Sequence, residues 1–238
     1  MFALSELVIY QIASIRKEAG NTHIYKMNPV TGKRFDFVPG QFVFMHILDE
    51  KGGSIVKRAY SIASAPHEKH LELCIKLIGG ELTSKLENLG EGDKVGIEGP
   101  FGHFKYGDES EAAFVAGGTG VVPFIGILRH INKNKIMGKF VLFYSTKTMD
   151  QILYKKELEK LEAENLNITV VITLTRETPR EWDGECGRIN GDILYKYTED
   201  TNQFNWWICG PMEMIKNIKN HLIVLGVDTD KIKMEGWG

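Results

Sequence analysis

The sequence is poor in cysteine. Its 238 residues include only three, Cys74, Cys186 and Cys209. They lie far apart and lack the paired spacing of zinc or iron–sulfur ligands, so we expect neither a metal site nor a disulfide framework. His67 and His70 lie in a turn with no further ligand nearby, and we expect both to be solvated.

The sequence also lacks an excess of one charge and any long apolar run near its start. Its formal net charge is −2, which does not indicate a nucleic-acid or membrane-surface binder. Residues 1–6 carry no basic segment, so we expect neither a signal peptide nor membrane insertion. The few cysteines fit a reducing compartment, and the cytoplasm is the expected location.

The residues that are present follow two different rhythms. Short strand-like runs separated by glycine and proline turns fill the first hundred residues and predict an antiparallel β-barrel. Continuous apolar runs then alternate with helical stretches, which predicts an α/β domain with a doubly wound parallel sheet. The polar segment 105–111 separates the two, so we predict domains over 1–106 and 107–238. Helices are predicted over 83–89, 122–131, 152–164 and 214–225.

The segment Arg58-Ala59-Tyr60-Ser61 lies on a predicted strand, so Arg58 and Tyr60 should share one side. A tyrosine can stack on a flat ring and an arginine can fork onto a diphosphate. A serine hydroxyl can hydrogen-bond a heteroaromatic nitrogen. These residue types suit a flavin, but the four residues alone fit a barrel strand with an exposed arginine equally well.

The segment Gly79-Gly80-Glu81-Leu82-Thr83-Ser84 follows a predicted strand and opens a short helix. The start of a helix offers unpaired N–H groups, and glycine lets the backbone approach an anion closely. Thr83 is suited either to cap this helix or to bind a phosphate through its hydroxyl. A plain N-cap and a phosphate site both remain open.

Two glycine segments fall in the second half. Gly117-Gly118-Thr119-Gly120 stands between an apolar run and a helix, where open α/β sheets bind nucleotide phosphates. Pro123 stands where the standard dinucleotide fingerprint has its third glycine, so spacing alone does not decide the function. Cys209-Gly210-Pro211 ends a later apolar run, where Cys209 alone fits a small buried residue.

Taken in order along the chain, these segments resemble the ferredoxin–NADP(+) reductase family, particularly its compact bacterial type. Pro39-Gly40-Gln41-Phe42 and Gly99-Pro100-Phe101-Gly102 also match the barrel of that family. The resemblance covers essentially the whole chain. It implies an FAD-dependent oxidoreductase that passes hydride from NAD(P)H to flavin and then single electrons to a separate carrier.

The resemblance also implies which residues hold FAD. Arg58 would lie on the pyrophosphate, Tyr60 would stack on the isoalloxazine, and Ser61 would lie near its reactive nitrogen. Trp237 is the only C-terminal aromatic that could cover the flavin, although the tail departs from the family's usual ending, and simple packing is its alternative. The implied FAD residues are Arg58, Ala59, Tyr60, Ser61, Cys74, Ile75, Lys76, Gly80, Leu82, Thr83, Thr119 and Trp237.

For the nicotinamide nucleotide, the resemblance implies that Cys209 lies beside the reacting carbon and that Glu235 serves with Ser61 as a proton relay. Ser61, Cys209 and Glu235 are thus the predicted catalytic residues, with a surface charge as the alternative for Glu235. The implied nucleotide-binding residues are Gly117, Gly118, Thr119, Gly120, Lys147, Arg176, Arg188, Cys209, Gly210 and Pro211.

Cations decide between the two nicotinamide nucleotides. Lys147 and Arg176 occupy places where NADP-dependent relatives carry positive charge, and Arg188 is a third candidate. Each charge-assisted hydrogen bond to a 2′-phosphate contributes roughly 1.5–3 kcal/mol. We therefore expect NADPH as the donor, with NADH as the alternative if these residues are solvated loop cations.

The electron acceptor is expected to be a separate protein, because the cysteines needed for a fused iron–sulfur domain are absent. Ferredoxin or flavodoxin is the predicted partner, docking on a basic patch that includes Arg16, Lys17, Lys33 or Lys57. Three alternatives remain: an NAD(P)H–flavin reductase, the reductase subunit of a larger complex, and a non-catalytic nucleotide-binding flavoprotein.

Overall fold

The computed structural model describes residues 7–32 and 34–237, except for the side chain of Trp237. Alternating apolar residues and glycine turns give the N-terminal half its short strands. Its elements are β1 Val8–Lys17, β2 Thr22–Pro29, β3 Phe42–Leu48, β4 Ser54–Ser61, β5 Leu71–Lys76, α1 Glu81–Leu86 and β6 Lys94–Phe101.

The six strands form one antiparallel sheet in the order β4–β3–β6–β1–β2–β5. An antiparallel bridge between Ile62 and Leu73 joins its two edges, and the Ala63 amide donates to the Glu72 carbonyl at 2.9 Å. The sheet is thereby closed around an apolar interior, as the sequence predicts. The side chains that fill this interior include Tyr10, Met27, Val43, Met45, Leu73, Val95 and Ile97.

The C-terminal half alternates strands with helices. Long apolar runs form its central strands because both faces of the sheet are covered. Its elements are β7 Glu111–Gly117, a 3₁₀ turn Gly118–Val121, α2 Val122–Asn134, β8 Lys139–Thr146, α3 Lys155–Glu164, β9 Ile168–Leu174, β10 Glu185–Cys186, α4 Gly191–Thr198, β11 Asn205–Pro211, α5 Met212–Val224 and β12 Ile232–Trp237.

These strands form a parallel sheet in the order β10–β9–β8–β7–β11–β12. Helices α2 and α3 pack on one face, and α4 and α5 pack on the other. The doubly wound sheet predicted from the sequence is confirmed. The strand order reverses between β7 and β11, and a crevice at the carboxyl ends of these two strands is where such sheets bind ligands.

Two helices begin at other residues than predicted. Helix α1 starts at Glu81 rather than at 83, because Gly80 is its N-cap. Helix α3 starts at Lys155 rather than at 152, because Tyr154 has a left-handed backbone with φ of 56°. The amide of Tyr154 is bonded to the Glu18 carboxylate of the barrel, at 2.6 Å, instead of joining a helical turn.

The barrel and the α/β half share a hydrophobic core. Ile24, Ala63 and Cys74 of the barrel pack with side chains of α2 and α3. Tyr106, in the segment between β6 and β7, contacts Trp207 of the second sheet with ring centroids 5.7 Å apart. The boundary between 106 and 107 stays a prediction. Among the described residues, no helix has the length and apolar character needed to cross a membrane.

Candidate functional site

A cleft of about 520 Å³ opens at the carboxyl edge of the parallel sheet. Gly117, Gly118 and Thr119 from the end of β7 line it together with Pro211 from the end of β11. Lys76, the last residue of β5, lines the same cleft from the barrel. Its size is typical of a small-molecule site, and it brings predicted FAD residues and predicted nucleotide residues together.

The glycines of the β7 segment are there for close packing. An ideal β-carbon on Gly120 would lie 2.1 Å from the carbonyl oxygen of Cys209, and one on Gly117 would lie 2.7 Å from the sulfur of Met214. Gly118 has φ of +55° and open space around the position of a β-carbon. Residues 117–120 can therefore lie directly on β11 while Gly118 leaves backbone accessible, which suits a nucleotide phosphate.

Three cations line the other end of the cleft. Lys147 follows β8 and Arg176 follows β9, and the Arg176 amide donates to the Lys147 carbonyl at 3.0 Å. Both side chains are exposed, and neither forms an ion pair with a carboxylate of the described residues. Arg188 differs, because its Nη1 lies 3.0 Å from Oε1 of Glu213. Lys147 and Arg176 are thus the cations best placed for an added phosphate.

Several polar residues of the cleft escape the sequence prediction. They come directly after the buried strands β8 and β9, on the 3₁₀ turn before α3, or on the first turns of α5. Position at the carboxyl edge of a parallel sheet is the signal that would have found those after the strands. These residues are Ser145, Thr146, Gln151, Thr175, Glu213 and Asn217.

Cys209 and Glu235 lie opposite each other in the parallel pair of β11 and β12. Cys209 is completely buried. Burial, and after it the charge of Glu235, raises the pKa of the Cys209 thiol well above its usual range. Cys209 is therefore a neutral thiol at physiological pH, suited to packing against a ring rather than to nucleophilic attack.

Burial also raises the pKa of the Glu235 carboxyl group above its ordinary value. Oε2 of Glu235 is buried and has no hydrogen-bond partner among the residues that the structure describes. A buried carboxyl group that holds its proton to higher pH is suited to exchange protons with a bound ring. This unpartnered oxygen fits the proton relay that the resemblance implies.

The segment Arg58 to Ser61 ends strand β4. Tyr60 lies opposite Val43 and Ser61 opposite Phe42 in the pairing with β3, so their side chains leave the strand on different faces. Tyr60 is half-buried, and burial raises its pKa to about 12, so its hydroxyl stays protonated. Arg58 and Ala59 are exposed. The Arg58 guanidinium donates only to the Lys57 carbonyl, at 2.8 Å, which leaves it suited to a diphosphate.

The predicted FAD residues of β5 and α1 differ in what they expose. Cys74 and Ile75 are buried, so their main chains rather than their side chains suit a ligand contact. Leu82 is likewise buried in the barrel core. The Thr83 hydroxyl donates to the Gly80 carbonyl at 3.1 Å, and no side chain caps α1. Thr83 is therefore not the N-cap, and the helix start is left uncapped for an anion.

The predicted docking cations do not share one surface of the sheet. Arg16 lies on β1 and forms an ion pair with Glu18. Lys57 lies on β4, at the edge of the sheet, and its Nζ is 2.9 Å from Oε2 of Glu98. Lys17 is exposed on β1. Lys33 and the side chain of Trp237 lie outside the described part of the chain.

Comparisons with known proteins agree with this geometry. The family model described as Oxidoreductase FAD-binding domain matches residues 10–106, and the model described as Oxidoreductase NAD-binding domain matches residues 114–220. The chain belongs to the ferredoxin–NADP(+) reductase family. It is thus an oxidoreductase with binding domains for FAD and for a nicotinamide nucleotide.

Members of this family with similar sequences include one of the subunits of the Na(+)-translocating NADH-quinone reductase in two bacteria. The protein of Mannheimia succiniciproducens is 31% identical over 199 residues, which is 76% of this chain and 48% of that protein. The protein of Pseudomonas aeruginosa is 30% identical over 77% of this chain and 49% of its own length. The chain spans about half the length of the curated relatives it matches.

Solved structures share the fold over almost the whole chain. The FAD/NAD binding domain of a nitric oxide dioxygenase from Vibrio cholerae superposes with a TM-score of 0.87 at 21% identity, covering 97% of this chain and 98% of that one. A ferredoxin NADP+ reductase from Neisseria gonorrhoeae, with bound FAD and NADP, gives 0.82 at 20% identity and the same two coverages.

Proposed function

We propose that this chain is a reductase that holds FAD on β4, β5 and the start of α1 and takes electrons from NADPH bound in the cleft. The observation that carries the proposal is the cleft itself, where the glycine segment of β7 and Lys76 of the barrel line one space. A nucleotide seated on residues 117–120 would have its far end directed towards the barrel. We place this activity in the cytoplasm, as the composition predicts.

The bound flavin supplies the redox chemistry, accepting two electrons with a hydrogen from the nicotinamide and passing electrons on singly. The protein binds and orients. Tyr60 offers its ring for stacking, and Ser61 offers a hydroxyl beside it. Buried Cys209 closes the opposite side as a neutral thiol. Glu235 holds a proton in a buried position close to Cys209.

NADPH is preferred over NADH in this proposal because Lys147 and Arg176 stand together at the ends of β8 and β9 with no carboxylate between them. The two bacterial relatives belong to NADH-quinone reductases, so NADH is the competing donor. Anaerobic mixing of the purified yellow protein with each nucleotide tests both points. We expect NADPH to bleach the flavin absorbance faster than NADH at equal concentration.

Two results would change the assignment. A colourless protein that reduces added free flavin would be an NAD(P)H–flavin reductase. A yellow protein that neither nucleotide bleaches would be a non-catalytic flavoprotein, and the proposal would fail. Both the uncapped start of α1 and the exposed Arg58 favour a held FAD.

For the acceptor, we propose a small one-electron carrier protein, a ferredoxin or a flavodoxin. Reduction of each carrier by the NADPH-reduced protein, measured by stopped-flow absorbance, tests this choice. A second candidate is the reductase module of a larger complex. It is favoured by relatives that are about twice as long as this chain. Co-purification of a stable partner, with slow reduction of both carriers, would support that alternative.

A further inference from the structure

Helix α2 links the two halves of the proposed active site. It begins at Val122, directly after the glycine segment that lines the nucleotide cleft. Its other contacts are with the barrel residues that follow Ser61 and precede Cys74, the two ends of the proposed flavin-binding strands. A helix is stiff along its axis, so the position of α2 on the barrel fixes the position of residues 117–120.

Gly126 is the point of closest approach between α2 and the barrel. An ideal β-carbon on Gly126 would lie 2.9 Å from the carbonyl oxygen of Ser64, 3.2 Å from that of Ile62 and 3.3 Å from that of Ala63. All three atoms belong to the backbone and cannot rotate away. Any side chain at Gly126 therefore pushes the helix away from the strand that carries Ser61.

Arg129, one turn further along α2, holds the contact together. Its Nη1 donates to the Ala63 carbonyl at 3.1 Å, and its Nη2 donates to Oε1 of Glu72 at 3.0 Å. Glu157 of α3 takes a second pair of hydrogen bonds from the same guanidinium. Glu72 is only 1% exposed and also accepts from the Tyr154 hydroxyl at 3.0 Å. One arginine thus joins β5, the segment after β4 and both helices of this face.

We propose that Gly126 and Arg129 are positioning residues that set the separation between the nicotinamide and the flavin. This inference rests on the proposed function. In that step a C–H bond of the reduced nicotinamide breaks, and its hydrogen moves with both bonding electrons to the flavin, which is reduced as the nicotinamide is oxidised. Such transfers need reacting atoms about 3–3.5 Å apart, and a misplacement of about 1 Å can cost roughly a hundredfold in rate.

The test compares Gly126→Ala with the matched control Gly191→Ala. Gly191 is also helical, in α4, but a β-carbon there would meet its nearest atom at 3.7 Å, an ordinary contact. Stopped-flow flavin reduction at saturating NADPH gives the transfer rate, and titration gives the dissociation constant. We expect Gly126→Ala to lower the rate about tenfold or more, with the dissociation constant unchanged. Gly191→Ala should match the unmodified protein.

A second measurement needs no bound nucleotide. Hydrogen exchange of the backbone amides in residues 62–65 should speed up in Gly126→Ala and stay unchanged in Gly191→Ala, because only the first loosens α2 from the barrel. Arg129→Lys keeps the charge but loses the forked hydrogen bonds. It should lower the transfer rate in the same direction, and it serves if Gly126→Ala does not fold.

The outcomes separate this proposal from the one it rests on. If the unmodified protein is not bleached by either nucleotide, the proposed function fails and the positioning role fails with it. If the unmodified protein is bleached and both variants transfer at its rate, only the positioning role is refuted. A fall in affinity with an unchanged transfer rate would also refute it, because that pattern belongs to nucleotide binding.

Discussion

Glu235 stands directly opposite Cys209 in the register of β11 and β12, and its Oε2 is buried without a hydrogen-bond partner among the described residues. A carboxylate in this place carries the cost of burial without a compensating donor. The protonated form of Glu235 is therefore favoured in the folded protein. The pair consists of a neutral thiol and a carboxyl group that readily holds a proton.

The first prediction is a pH dependence of stability that comes from Glu235. Its pKa is raised by burial in the folded state above the ordinary 4.5, so its contribution to stability is complete below pH 4.5 and is lost as pH rises through the folded pKa. Glu235→Gln removes this loss. Urea unfolding from pH 4 to 7 should show the variant gaining stability relative to the unmodified protein as pH rises. A constant difference would contradict the raised pKa.

The second prediction separates two glycines of the β7 segment. Gly118→Ala should cost about 1–2 kcal/mol, because φ is +55° but nothing crowds the β-carbon. Gly120→Ala should cost more, because its β-carbon would lie 2.1 Å from the Cys209 carbonyl oxygen and the strands must separate. Denaturant unfolding of both variants measures the order. A smaller cost at Gly120 would show that β7 and β11 do not pack as closely as described.

The third prediction concerns Glu72. Burial alone would raise its pKa, but nearby His70, the charges of Arg129 and Lys26, and the Tyr154 hydroxyl together lower it to about 2. Its stabilisation is therefore present above pH 4.5 and is lost as pH falls from there towards 2.

Glu72→Gln should accordingly lower the free energy of unfolding at pH 7 by about 3 kcal/mol, and the difference from the unmodified protein should shrink below pH 4.5. Denaturant unfolding across this pH range measures it. Glu159→Gln is the control, because Glu159 is exposed and pairs only with Lys155, at 4.0 Å. Its effect should stay within about 0.5 kcal/mol. An equally small effect at Glu72 would refute the interpretation.

Local sequence patterns predicted the two-domain architecture, because glycine turns and continuous apolar runs act over a few residues. They also predicted α2 to begin at Val122, where Pro123 suits a first turn. They did not predict the start of α3, because the left-handed Tyr154 is held by a bond from its amide to Glu18, 136 residues away in sequence. Tertiary contacts of this kind leave no local trace.

The same limit applies to the site. Lys147 and Arg176 could be predicted because each follows an apolar run, and the structure places both in the cleft. The contact of Arg129 with Glu72 joins residues 57 apart in sequence and has no periodicity to reveal it. Gly126 looks like an unfavourable helix residue until the carbonyl of Ser64 is seen against it. Burial and close approach are properties of the folded chain.

The fourth prediction tests the choice of nucleotide. The double variant Lys147→Ala, Arg176→Ala should lose its preference for NADPH over NADH, because the 2′-phosphate loses two charge-assisted contacts of roughly 1.5–3 kcal/mol each. At tenfold per 1.4 kcal/mol, the ratio of kcat/KM values should fall about a hundredfold or more, through weaker NADPH rather than stronger NADH. Steady-state kinetics with each nucleotide and one acceptor measures the ratio.

The matched control for this double variant is Lys51→Ala, Lys94→Ala, which removes two exposed cations from the barrel and changes the net charge equally. If the control also lost the preference, long-range attraction by the whole protein would explain it rather than contacts in the cleft. If neither variant changed the ratio, the charge argument for NADPH would be wrong. Arg188 would not rescue the argument, because its guanidinium already faces Glu213 at 3.0 Å.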